Sequence, residues 1–129
     1  MLTVKIPQYD FGYNEQFTIY TDGRHLNVKD ITGFTAWLLV WTDDNENEPY
    51  IMKEIEVSED GTSGIVYWNV TSDDTAQFGN YKAEIRLIKS HLEPNGQGGF
   101  ITINDIVYST MQFVLQIVPS WQIPIEENV

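Results

Sequence analysis

Few residues in this chain could carry chemistry, and they are widely spaced. Of the two histidines, His25 stands beside an Asp-Gly turn and His91 opens a Gly-rich stretch, with no spacing that pairs them. A catalytic triad needs a base held between a nucleophile and a carboxylate, and a hydrolase elbow needs Gly-x-Ser-x-Gly; neither pattern occurs. Asp43, Asn45 and Asn47 have the D-x-N-x-N spacing of a calcium loop, with Glu54 where its last ligand would fall. Yet Glu48 occupies the place where the sharp turn needs glycine, and Glu54 lies in a strand pattern, so the run reads as a solvated acidic loop. The adjacent carboxylates Glu59/Asp60 and Asp73/Asp74 sit in turns, where they cap and solubilise and do not face each other across a substrate. There is no cysteine, which removes disulfides, thiolate metal sites and thiol nucleophiles. The expectation is a protein that is not an enzyme, with no catalytic, cofactor-binding or metal-ligating residue.

The bulk numbers narrow the class further. A length of 129 residues suits one domain, and 42% hydrophobic residues suit a folded one. Seven basic residues against 19 acidic give a net charge of −12, too few cations for a phosphate-binding stripe or an anionic membrane surface. No signal peptide and no apolar run of membrane-spanning length is legible. The expected partners are proteins, with no nucleic acid and no membrane insertion.

The elements that must position any functional residue are strands. Hydrophobicity alternates with a period of two almost throughout. Strands are expected over 2–6, 15–21, 26–31, 34–42, 50–57, 65–70 and 81–89, with Leu26, Val28 and Ile31 pointing inward in the third. Residues 91–99 read as a flexible loop. Residues 100–118 read as a short strand, a turn near Asn104-Asp105 and a long last strand whose inner face is Met111, Phe113, Leu115 and Ile117. Phe34–Thr42 is apolar on both faces, the pattern of a strand buried on both sides. Roughly seven to nine strands with regularly spaced turn signals predict an all-β, immunoglobulin-like antiparallel sandwich with Greek-key connections. One domain is expected over 1–118, with 119–129, which carries Pro119 and Pro124, as an extended arm or linker.

The run Asp73–Ile88 marks a corner. Gly79 allows a tight bend, and Tyr81 follows two residues later, facing inward with Ala83, Ile85 and Leu87. Asp74 and Thr75 cap the turn leading in. This is the layout of a tyrosine corner, whose hydroxyl bonds back to the upstream backbone.

These segments resemble the N-terminal immunoglobulin-like domain of tailed-phage baseplate upper proteins and related virion modules. The resemblance runs through Ile31-Thr32-Gly33, then Gly64-Ile65-Val66-Tyr67, then Thr71–Thr75, then Gly79–Glu84, and spans residues 20–118. It implies a structural role in a virion, anchoring or spacing a host-recognition part of a tail or baseplate, in contact with other virion or surface proteins and as a homo-oligomer or part of a larger assembly. Such proteins usually continue into helical or fibre segments, so a head-decoration or adaptor protein is an alternative; a carbohydrate-binding sandwich is another. The four tryptophans exceed the needs of one small core. Trp37, Trp41, Trp68, Trp121 and Ile123 are therefore the expected interface residues, with Trp41 and Trp68 on an outer face.

Overall fold

The computed structural model describes residues 2–21, 27–42 and 48–120. His25, Leu26, Asp43, Asn45, Asn47, Trp121 and Ile123 lie outside them, as does the side chain of Met111. The fold is all-β and sandwich-like. Its strands are β1 (Thr3–Pro7), β2 (Asn14–Thr18), β3 (Thr35–Trp41), β4 (Ile51–Val57), β5 (Ile65–Asn69), β6 (Gly79–Pro94) and β7 (Phe100–Val118), with one 3-10 turn at Gly61–Ser63.

The hydrogen-bonded order is β1-β7-β6-β3-β4-β5-β2. Strand β4 belongs to both layers. It runs beside β3 from Ile51 to Ile55 and then beside β5 at Glu56 and Val57. The sheet therefore folds over at β4, and residues of β5 and β2 share one core with those of β3, β6 and β7. Every pair is antiparallel except β1 with β7, which is parallel and corrects the expectation of a wholly antiparallel sandwich. The reason is connectivity: β1 enters at the free edge of the last strand, and its residues 3–7 run in step with 114–118.

Alternating residues from both layers meet in the core. Ala36, Leu38 and Val40 of β3 and Ala83, Ile85 and Leu87 of β6 are fully buried, in one cluster with Val66 and Trp68 of β5. Phe17 of β2 tilts against Phe113 of β7 at 5.1 Å between ring centroids. Fully burying a large apolar side chain contributes about 2 kcal/mol each, so this set supplies the main driving force.

Three segments depart from the sequence reading. Residues 26–31 form no strand among the described residues: Val28 makes one bridge to Tyr20 and is exposed, while Ile31 is buried. The backbone there is drawn onto the 3-10 turn, with Ile31 N–H donating to Gly61 O at 2.9 Å. Gly64 closes that turn at φ +67°, and a Cβ on it would meet Val28 Cγ1 at 2.4 Å. Second, residues 91–94 are not loop. β6 runs on to Pro94 and pairs with β7 as a long hairpin. Asn95 orders its tip, its Oδ1 accepting from Gln97 N–H (2.8 Å) and Gly99 N–H (3.1 Å). Third, Asn104-Asp105 is no turn. Ser90 pairs with Asn104 and Lys89 with Ile106, so Asp105 is the extra residue of a β-bulge inside a continuous β7.

The corner before β6 is stitched to the rest of the sandwich. Tyr81 donates its hydroxyl to Gln77 O at 2.9 Å. Its ring stacks on Tyr50 at 4.9 Å, and the Tyr50 hydroxyl donates to Asp73 O and Asp74 O. Gly79 begins β6 at φ +154°, a conformation side-chain-bearing residues rarely adopt. Thr75 Oγ1 donates to Asp10 O (2.8 Å) and Gln8 Nε2 to Ala76 O (2.9 Å), tying in the β1–β2 link. At the centre, Asp74 Oδ2 accepts from Trp68 Nε1 (3.0 Å), from Thr71 N–H (3.0 Å) and from the Lys53 ammonium. Burial pushes the Asp74 carboxyl up, but these donors together hold it below its ordinary value of 3.8.

A carboxylate with a lowered folded pKa contributes stability that is complete above its unfolded value and is lost as pH falls through the folded one. Truncation of Asp74 strands a buried indole N–H and takes the carboxylate away from a partly buried cation. The Asp74→Ala variant is therefore expected to lose about 3 kcal/mol in urea denaturation at neutral pH, with much of that difference gone in strong acid. Tyr81→Phe, which removes one hydrogen bond, loses about 1 kcal/mol. An Asp74→Ala loss no larger than that of Tyr81→Phe would show that the carboxylate is not central to the corner.

Candidate protein-contact surface

Side chains alternate across a sheet, so the residues that do not face the core form one outer surface. On β3 these are Thr35, Trp37, Leu39 and Trp41, the last three half-buried. Pairing places β6 on one side of β3 and β4 on the other. Trp37 is level with Arg86 and with Glu54, and Leu39 is level with Glu84 and with Met52. Ile88 of β6 and its partner Val107 of β7 continue the face, with Val107 54% exposed and Met52 62% exposed. Trp37, Leu39, Met52, Arg86 and Ile88 line a shallow hollow of about 250 Å³.

This face answers the expectation that β3 is buried on both sides. One side is in the core; the other is covered only by its own neighbours among the described residues. The polar groups on it are ordered. Arg86 Nη2 donates to the buried Glu84 carboxylate at 2.9 Å, which leaves Arg86 Nε buried without an acceptor. Trp37 and Trp41 share this outer surface. Trp68 does not, and its expected interface role is corrected: it is fully buried, its Nε1 donating to Asp74. The strand Ile65–Asn69 is apolar on both faces, so alternation left the side of Trp68 open, and the core took the larger ring.

Beyond Ile88, β3 no longer pairs with β6, and the β6–β7 hairpin projects as an arm. Leu92 is 65% and Phe100 67% exposed on it, and Ile101 and Ile106 are also exposed. Pro94 and the Asp105 bulge interrupt its edges, which discourages strand-to-strand aggregation and leaves its faces as the surface on offer.

The arm also holds the one described histidine. His91 Nδ1 lies 2.7 Å from Asp105 Oδ2, and His91 Nε2 lies 2.9 Å from Glu93 Oε1. Both ring nitrogens are engaged by carboxylates on an exposed strand. Sequence spacing could not reveal this cluster, because it depends on β6 pairing with β7 through residues read as loop. The bonds to Glu93 and then to Asp105 raise the His91 pKa above its ordinary 6.5.

No protein-family profile matches the chain, and no curated protein matches it. Among solved structures it is similar to the N-terminal domain of phage TP901-1 ORF48, with 15% identical residues, coverage of 89% of this chain and 83% of that one, and a TM-score of 0.58. At that identity the likeness establishes a shared fold.

A histidine with a raised folded pKa steadies the arm fully below the unfolded value near 6.5, and this contribution is lost as pH rises through the raised value. The His91 imidazole, followed by NMR, should titrate above 6.5, and arm amides should exchange faster above that midpoint than below it once corrected for intrinsic rate. A midpoint at or below 6.5, or the same pH response in His91→Gln, would contradict the arrangement.

Proposed function

We propose that the chain is a non-enzymatic structural module of a phage particle, part of a tail or baseplate. In this reading it anchors or spaces a host-recognition part through protein–protein contacts. The observation that carries it is the apolar outer face around Trp37, Leu39 and Met52, in a chain whose net charge is −12. Contiguous apolar side chains on the outside of an otherwise acidic sandwich fit a contact surface. The sandwich shared with a phage protein's N-terminal domain supports the setting. Its place is the virion, and its partners are other virion or surface proteins.

Purified particles of the phage that encodes the chain provide the test. Mass spectrometry should find it in fixed stoichiometry with the tail proteins, and antibody-labelled particles should carry the label at the tail end in electron micrographs. Its absence from washed particles, or label confined to the head, would refute the assignment.

A further inference from the structure

The outer face has a charge pattern that fits a second copy of itself. Its central strand, β3, presents Trp37, Leu39 and Trp41 and no charge. The strand on one side, β6, presents the cations Lys82 and Arg86, with Glu84 taken up by Arg86. The strand on the other side, β4, presents Met52 and the exposed carboxylates Glu54 and Glu56. Apolar centre, basic flank and acidic flank therefore lie side by side in the order β6-β3-β4.

We propose that two copies of the chain pack sheet on sheet through this face, about a two-fold axis running along β3. The proposal rests on the reading of this face as a contact surface, and not on where the assembly occurs. Rotation about such an axis keeps each row of the sheet level with itself and exchanges the two flanks. Arg86 and Glu54 are both level with Trp37. Arg86 of each copy thus comes opposite Glu54 of the other, twice per dimer, while Trp37 and Leu39 stack near the axis. An axis across the strands would instead set β6 on β6 and β4 on β4, like charge on like. Packed sheets stand about 10 Å apart, a gap that side chains of this size fill. An isologous interface of this kind closes on itself and does not propagate. The nearly balanced charge of the face answers the objection that copies of net charge −12 repel, because exposed charges farther off are screened over about 8 Å at physiological salt.

The full chain should sediment as a monomer–dimer equilibrium with a two-subunit limit. Glu54 is exposed, so Glu54→Lys should fold with an unchanged circular dichroism spectrum while placing a lysine opposite Arg86. Its dimer dissociation constant should rise roughly hundredfold, since two attractive pairs become repulsive. The chain has no cysteine, which makes a single-site cross-link clean. A Leu39→Cys variant should give covalent dimers with a short bis-maleimide reagent, and Glu59→Cys, in a turn away from the face, should not. A chain that remains monomeric at all concentrations overturns the proposal and leaves the particle assignment standing. So does a dimer that Glu54→Lys leaves intact or that Leu39→Cys fails to cross-link. A chain missing from particles refutes that assignment and leaves the dimer standing on sedimentation and cross-linking.

Discussion

One carboxylate oxygen, Asp74 Oδ2, accepts hydrogen bonds from three donors drawn from three parts of the chain. Trp68 Nε1 comes from β5, Thr71 N–H from the turn itself, and the Lys53 ammonium from β4. A buried carboxylate without such partners would be costly; with them it becomes the point where strands of both layers and the turn are fixed together. Lys53 also donates to Asn69 O at 3.1 Å and lies 5.8 Å from the centre of the Trp68 ring, so the cation is held by three separate groups. The corner that starts β6 is thereby locked to β4 and β5, and through Thr75 and Gln8 to the β1–β2 link.

That lock sets what the rest of the molecule presents. With Tyr81 turned inward at the start of β6, every second residue along the strand follows it into the core, and the alternate residues through Arg86 and Ile88 are turned out beside Trp37 and Leu39. The outer face is thus a consequence of register: a slip of one residue would bring Ala83, Ile85 and Leu87 out and bury Lys82 and Arg86. The same strand continues past its last partner on β3 and carries the arm outward. The long β6–β7 hairpin thereby joins a rigid body to a projecting pair of strands, held at the tip by Asn95 and across its middle by His91.

Much of this was legible in the sequence, and the illegible parts share a cause. The core face of β6 and the Gly79–Tyr81 bend follow from period-two alternation and one conformationally demanding glycine, whereas β3, apolar on both sides, does not show in its sequence which side is core. Asp74 reads locally as a turn cap, but its bonds to Lys53 and Trp68 span 21 and 6 residues and carry no local signal. Trp68 could not be assigned a side because its strand is apolar on both. The arm was hidden by residues with two meanings: Asn95-Gly96 and Asn104-Asp105 both carry turn chemistry, yet the first turns the chain and the second only bulges it. Pairing with β1 in parallel is likewise a fact of topology that no pattern within residues 2–6 encodes.

Exchange of the Trp68 indole proton, followed by NMR under native conditions, tests this account most directly. If Asp74 holds the corner as a buried acceptor, that proton exchanges only on global unfolding, as slowly as the core amides of β3 and β6. An indole proton that exchanges at the rate of exposed tryptophan while those amides stay protected would contradict it.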